Sequence, residues 1–122
     1  MSERLEEDPV FMKIREIFSP VPYERGFHFF TATDRYTGET ATSIDSFVQK
    51  LQVIEADSIG FHFPRKDFQN WIRGVIKDER LAEEIDRIKE EQSNEDLRKE
   101  VVKTIETHLY ELRSDALQIL YD

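Results

Sequence analysis

The chain has 122 residues, of which 39% are hydrophobic, and its 17 Lys and Arg stand against 26 Asp and Glu, for a net charge of −9. That charge repels nucleic acid phosphates and anionic lipid, and no apolar stretch approaches the roughly 20 residues that span a bilayer, so we expect neither nucleic acid nor membrane as a partner. Cysteine is absent, which excludes disulfides and thiolate metal sites, and the acidic start MSERLEEDPVF lacks the pattern of a secretory signal. We therefore expect a cytoplasmic protein in which residues 1–122 form a single domain.

Residues 1–26 are predicted to hold one helix and a proline-rich connector. Asp8 followed by Pro9 is typical of a helix start, because the carboxylate accepts from the first free amides and proline needs no N–H there. The segment SPVPYERG, residues 19–26, ends this helix because two prolines and a glycine cannot continue it. The apolar residues of the helix at helical spacing are Phe11, Ile14 and Phe18.

Residues 27–42 are predicted to form a small two-stranded β-ribbon. The segment FHFFTATDRYTGETAT is rich in aromatic residues and Thr, and DRYTG, residues 34–38, is typical of a turn. The alternation of side chains along a strand places His28 on the opposite face from Phe27 and Phe29. Two strands alone are marginal in water, so we expect the ribbon to lie against helices.

The middle of the chain is predicted to be helical. Thr42 and Asp45 form a capping-box pattern before an amphipathic run, and Asp78 can cap an acidic helix over residues 79–91. The segment ADSIGFHF, residues 56–63, fits either a short helical turn or a strand. Between that segment and Asp78, the spacing of the apolar residues predicts a helix with one core-facing side. That side carries Phe68, Trp71, Ile72, Val75 and Ile76.

The longest helix is predicted to run from the Ser93–Asp96 capping box to about Tyr121, a length of about 40 Å at 1.5 Å per residue. The sequence therefore predicts a mainly α fold: a single-domain bundle of five or six helices, with a two-stranded β-ribbon near residues 27–42 and a long C-terminal helix. Apolar residues at the spacing of a coiled-coil seam follow along that helix: Val102, Ile105, Leu109, Leu112, Ala116 and Ile119.

The order of these motifs resembles the uncharacterised family catalogued as domain of unknown function 5752. The matching elements are the Phe-rich start, a capped helix, an aromatic–His stretch, an Asp-Phe-x-x-Trp helix that continues into Asp-x-x-Leu-Ala-x-x-Ile, and a closing Leu-rich helix. The resemblance covers residues 27–112, which we take as the family-like core, with 113–122 as the end of the long helix. The resemblance implies a helical fold, and the family has no assigned activity. In this sequence the elements fall at Phe27–Phe30, Ser43–Ile54, Phe61–Phe63, Asp67–Trp71, Asp78–Ile85 and Leu97–Leu112.

The segment SIGFHFPRKDFQNWIRGVIKD, residues 58–78, concentrates aromatic and basic residues. Since Trp71 shares one helical face with its apolar neighbours, we expect it in the core, and Asp67 is expected to cap this helix. His62 is either a core histidine or a ligand-binding residue. The basic residues either serve with His62 as anion contacts or pair with the acidic helix 79–91. The candidate ligand-binding residues are His62, Arg65, Lys66 and Arg73.

No constellation of catalytic residues is visible, so the chain is expected to be a binding protein rather than an enzyme. His28, His62 and His108 are far apart in sequence and lack metal-ligand spacing, although convergence of His28 and His62 in the fold stays open. A G-x-S-x-G nucleophile motif and a phosphate-binding glycine loop are both absent. We therefore predict no catalytic residue, no metal site and no cofactor.

The C-terminal helix offers the main functional lead, because a helix longer than its neighbours can extend past the body and leave apolar residues uncovered. The favoured hypothesis is a non-enzymatic interaction or scaffold domain that forms a homodimer through this helix. In the competing interpretation, the N-terminal helix 9–18 folds back over the tip and the protein is a monomer. A further alternative is a small ligand-binding or enzymatic protein that uses His62 with nearby Arg and Lys. The predicted interface residues are Ile105, Leu109, Leu112, Ala116 and Ile119.

Overall fold

A computed structural model of the protein describes residues 8–121. Within this range the fold is mainly helical, with six α-helices and one antiparallel pair of strands, which confirms the predicted fold class. The elements in chain order are α1 (Pro9–Phe18), a 3₁₀ turn (Tyr23–Arg25), β1 (Phe27–Ala32), β2 (Arg35–Ala41), α2 (Ile44–Val53), α3 (Ala56–His62), α4 (Asp67–Trp71), a π-helix (Ile72–Ile76), α5 (Glu79–Asp86) and α6 (Asn94–Tyr121).

Short polar side chains begin several helices, and Asp8, Asp78 and Ser93 do so as predicted; the Leu81 amide donates to Asp78 at 3.1 Å. The Val10 and Phe11 amides donate to the Asp8 carboxylate at 2.9 and 3.0 Å, and the Asp96 amide donates to the Ser93 hydroxyl at 3.1 Å. For α2 the predicted capping pair was wrong by one residue. Ser43 rather than Thr42 is the N-cap, and it forms the reciprocal box with Ser46, whose hydroxyl accepts from the Ser43 amide.

The β-ribbon forms as predicted, but its turn does not lie at residues 34–38. The chain reverses at Thr33–Asp34, and the segment from Arg35 onward already belongs to β2. The two strands pair with register shifts on both sides of Phe30, and Gly38 in β2 has a φ of 90°. Glycine adopts this conformation without a steric penalty, so it supports an irregular strand here rather than a turn.

The core lies between the ribbon and the helices and is centred on aromatic rings. Trp71 is buried, and its ring centroid lies 5.0 Å from that of Phe47 and 5.8 Å from that of Phe27. The Trp71 Nε1–H donates to the Arg25 carbonyl at 2.8 Å, which satisfies the polar end of the indole. The expectation that Trp71 and Phe68 are core residues is therefore confirmed.

The segment that follows α3 departs from the predicted regular helix. Lys66, in a left-handed conformation with φ of 63°, is the N-cap of α4, and Asp67 is its first helical residue. The prediction that Asp67 caps this helix was wrong. From Ile72 the helix continues as a π-helix, which ends at Lys77, again with positive φ.

The long helix α6 packs against α1, α2, α3 and α5. Its inner half has one buried face, whereas beyond Leu109 every residue to Tyr121 is half-buried or exposed. No helix within residues 8–121 is long and apolar enough to cross a membrane. The apolar residues of α6 that lie fully in the core are Leu97, Val101, Ile105 and Leu109.

Candidate functional site

A cavity of about 330 Å³ opens between the β-ribbon and the segment from α3 to α4. Strand β1 contributes His28 and Phe30, and the end of α3 contributes Phe61 and His62. The loop into α4 contributes Arg65 and Asp67, so that polar groups of different chemistry face one volume. The size is at the lower end of the range for small-molecule sites.

His62 is the deepest of these polar side chains. Its Nδ1–H donates to the Asp67 carboxylate at 2.8 Å, and its Nε2 accepts the Phe30 backbone N–H at 2.8 Å. The Phe30 amide can only donate, so Nε2 carries no hydrogen and the tautomer is fixed. Burial lowers the pKa of His62 below its ordinary value, and the hydrogen bond and charge of Asp67 offset only part of this effect. His62 is therefore a neutral histidine with both ring nitrogens bonded inside the chain.

Asp67 connects His62 to Arg65. The same carboxylate oxygen that accepts from His62 also accepts the Arg65 Nε–H at 2.9 Å. On its other side, the Arg65 guanidinium lies 4.6 Å from the centroid of the Phe61 ring, in cation–π contact. These two contacts orient the guanidinium at the rim of the cavity.

The structure does not bring Lys66 and Arg73 to this cavity. Lys66 is exposed at the start of α4. Arg73 donates to Glu79 at 2.7 Å and to Asp86 at 2.9 Å, which is the predicted pairing with the acidic helix. The hydrogen bonds that Arg73 donates to the Asp86 and Glu79 carboxylates raise its pKa. Of the four predicted ligand-binding residues, the cavity therefore brings together His62 and Arg65.

His28 lies on the same cavity, which answers the question of convergence that the sequence left open. Its Nδ1 is 2.7 Å from the Thr40 hydroxyl of β2, and its ring is 5.0 Å from that of Tyr23. The strand alternation correctly separated His28 from the buried faces of Phe27 and Phe29. It could not predict the cavity, because the wall opposite His28 comes from α3, about thirty residues away in the chain.

A second histidine, His108, is buried in a place that the sequence did not indicate. Its Nε2–H donates to Asp78 at 2.6 Å, while Nδ1 lies 3.9 Å from Glu84 and has no hydrogen-bond partner within residues 8–121. Burial alone would raise the pKa of Asp78, but the hydrogen bonds from His108 and the Leu81 amide, with nearby positive charge, lower it. The sequence feature that could have indicated the burial of His108 is its position three residues after Ile105, on the buried side of α6.

A separate apolar groove of about 360 Å³ lies between α1 and the outer half of α6. Among its lining side chains Arg113 is the charged one; its guanidinium pairs with Asp45 at 2.7 Å and lies 4.4 Å from the centroid of the Phe18 ring. The apolar residues that line the groove are Phe11, Ile14, Phe18, Ala116, Leu117 and Leu120.

This groove changes the predicted interface on α6. Ile105 and Leu109 belong to the core of the chain itself, so a partner cannot reach them. Leu112, Ala116 and Ile119 are half-buried and remain near the surface. Helix α1 packs against α6, as the monomer interpretation expects, but it leaves the groove open between the two helices.

Taken together, the geometry defines a small α-rich fold with a polar cavity beside its β-ribbon and an apolar groove along its longest helix. The chain belongs to the family of unknown function DUF5752, which matches residues 24–119 and confirms the resemblance seen in the sequence. No curated protein and no solved structure matches the chain.

Proposed function

We propose that the protein is a non-enzymatic interaction domain that forms a homodimer through the groove between α1 and the outer half of α6. The observation that carries this proposal is the groove itself, which is lined by apolar side chains and open to solvent. An apolar surface of this kind is stabilised when a partner removes it from water.

The distribution of exposed apolar side chains supports the same surface. Five of the eight large hydrophobic residues that are exposed within residues 8–121 lie on α1 or on the outer half of α6. Scattered exposed hydrophobic residues need no explanation, but their concentration beside an apolar groove is typical of an interaction surface. The five residues are Val10, Met12, Tyr110, Leu117 and Tyr121.

Charge favours a second copy of the chain as the occupant. Residues 9–18 and 110–121 together carry three basic and three acidic side chains, so this surface is neutral in a chain of net charge −9. In a two-fold arrangement, Lys13 and Arg15 of one copy can approach Glu111 and Asp115 of the other. A specific dimer buries about 800 Å² on each partner, which requires the groove together with the exposed side chains of both helices.

The alternative function, a ligand-binding or enzymatic site based on His62, has less support. Both of its ring nitrogens are already bonded to the Phe30 amide and to Asp67. A general base or a ligand contact needs a free nitrogen, and His62 would have to break an internal hydrogen bond to provide one.

Size-exclusion chromatography with light scattering tests the dimer. At about 100 µM, where even a micromolar dimer is mostly assembled, we expect twice the 14.5 kDa chain mass for the wild-type protein. Leu117→Glu should yield the mass of one chain, because it places a carboxylate in the groove. Leu117 is 53% exposed, so the monomer is expected to stay folded.

Val53→Glu is the matched control, because Val53 is also an exposed apolar residue but lies at the end of α2. This variant should remain a dimer. A wild-type protein with the mass of a single chain at the same concentration would overturn the proposal, and so would a Leu117→Glu variant that stays dimeric.

A further inference from the structure

We propose that the cavity beside the β-ribbon binds a small monocarboxylate with a flat apolar body, and that Arg65 rather than His62 provides the main contact. This site shares no lining residue with the α1–α6 groove, so it does not depend on dimer formation.

Arg65 is held in place by a series of contacts that begins in the core. The Phe30 amide fixes His62, His62 donates to Asp67, and Asp67 accepts from the Nε–H of Arg65. The Phe61 ring supports the guanidinium from the other side. A guanidinium that is already oriented loses less conformational entropy when it binds a ligand. His62 is thus a positioning residue for this site.

The terminal nitrogens of Arg65 are the groups that remain for a ligand. Asp67 uses the Nε–H, and within residues 8–121 the two Nη groups make no hydrogen bond. Parallel N–H groups of this kind match the two oxygens of a carboxylate. Across the cavity, His28 has Nδ1 bonded to Thr40, which leaves Nε2 as a second polar contact.

The other residues that line the cavity indicate the shape and the charge of the ligand that would fit. Phe27, Phe30 and Phe61 line the cavity with aromatic surface, which suits a flat apolar body. Asp67 partly neutralises Arg65 and would repel a second negative charge. A monoanionic carboxylate therefore fits better than a phosphate dianion.

Titration with benzoate, benzamide and phenyl phosphate, followed by NMR amide shifts and calorimetry, tests this site. We expect benzoate to bind with a Kd on the order of 1 mM, as is reasonable for a ligand of this size, with the largest shifts at residues 26–33 and 61–67. Benzamide and phenyl phosphate should each bind at least about 10-fold more weakly, because the first lacks the charge and the second has too much of it.

Two variants identify the contact. Arg65→Gln should weaken benzoate binding by about 10-fold or more, since it removes a charged hydrogen-bond donor. Arg73→Gln removes an arginine that is bound to Glu79 and Asp86 outside the cavity, so it should bind benzoate like the wild-type protein. Both variants are checked for wild-type circular dichroism.

The proposal would be overturned by no detectable benzoate binding, by equal loss of binding in both variants, or by tighter binding of phenyl phosphate than of benzoate. Shifts confined to α1 and α6 would also overturn it, because they would place the ligand in the apolar groove.

Discussion

The imidazole of His62 is kept neutral by its surroundings in the folded chain. The Phe30 amide occupies its Nε2, and burial lowers its pKa below the ordinary value of 6.5. The unfolded chain therefore takes up a proton at this residue at a higher pH than the folded chain does. It follows that the contribution of His62 to stability is complete above pH 6.5 and is lost as the pH falls through the folded pKa.

The variant His62→Gln tests this pH dependence. Urea unfolding at about pH 7.5 and about pH 5.5 should show that the wild-type free energy of unfolding falls on acidification, and that the variant loses less over the same interval. At the higher pH the variant itself should be less stable by about 1–3 kcal/mol, because the Phe30 amide or Asp67 loses a partner. An equal pH dependence in both proteins would contradict the assignment.

At the scale of an element, Gly74 lies in the π-helix and Gly26 lies just before β1, and the two glycines differ in the space around them. A Cβ at Gly74 would meet nothing within 4 Å, whereas a Cβ at Gly26 would lie 2.7 Å from the Ala41 carbonyl oxygen. The ribbon therefore depends on the absence of a side chain at Gly26, while the π-helix does not depend on Gly74.

Gly74→Ala should raise the free energy of unfolding by about 0.5–1 kcal/mol, since alanine restricts the unfolded chain and gains helix propensity. Gly26→Ala should lower it by about 1–3 kcal/mol because of the close carbonyl. Thermal and urea unfolding of both variants measures these changes. If both substitutions stabilise the protein, the close approach at Gly26 is not what holds the ribbon in place.

At the scale of the whole molecule, Asp78 joins elements that are distant in sequence. Its backbone N–H donates to the Ile72 carbonyl at the start of the π-helix. Its side chain accepts from the Leu81 amide of α5 and from His108 of α6. Because the pKa of Asp78 is lowered, its contribution is present above the unfolded pKa and is lost as the pH falls through the folded value, in the acid range below pH 3.8.

A double-mutant cycle with Asp78→Ala and His108→Ala measures this link. Each single change should cost about 3 kcal/mol, because it leaves a buried polar partner alone, and the double variant should cost clearly less than the sum. The exposed pair Arg73 and Glu79 is the control, with a coupling of at most about 1 kcal/mol. Additive costs for Asp78 and His108 would show that the pair does not act as a unit.

The sequence was most informative where the interacting groups are close together in the chain. Asp8 and Ser93 cap their helices through amides two or three residues away, so their roles could be predicted. Asp67 looks equally like a cap, but a left-handed Lys66 displaces it into the helix and turns its carboxylate towards His62 and Arg65. The Asp78–His108 bond spans thirty residues, and neither residue carries a local signal of it.

Less of the candidate sites than of the helix caps could be predicted, because the sites combine residues that are distant in the chain. His62 and Arg65 were correctly placed together because they are three residues apart. Arg73 was grouped with them by charge, but it lies in the π-helix and donates to Glu79 and Asp86 of α5, which was the alternative prediction for it. Ile105 and Leu109 of α6 are buried in the core. Which residues of α6 become buried depends on how the other helices cross it, and the spacing of apolar residues alone does not predict that.

The division of α6 into an inner half with a buried face and an outer half with no fully buried residue has a consequence for deuterium exchange. Amides from Leu97 to Leu109 should exchange only when the entire chain unfolds, whereas those beyond Leu112 should open by fraying of the helix end. A homodimer formed through the outer half would slow exchange there as the protein concentration rises and leave the inner half unchanged. One helix would thus report global unfolding at one end and association at the other.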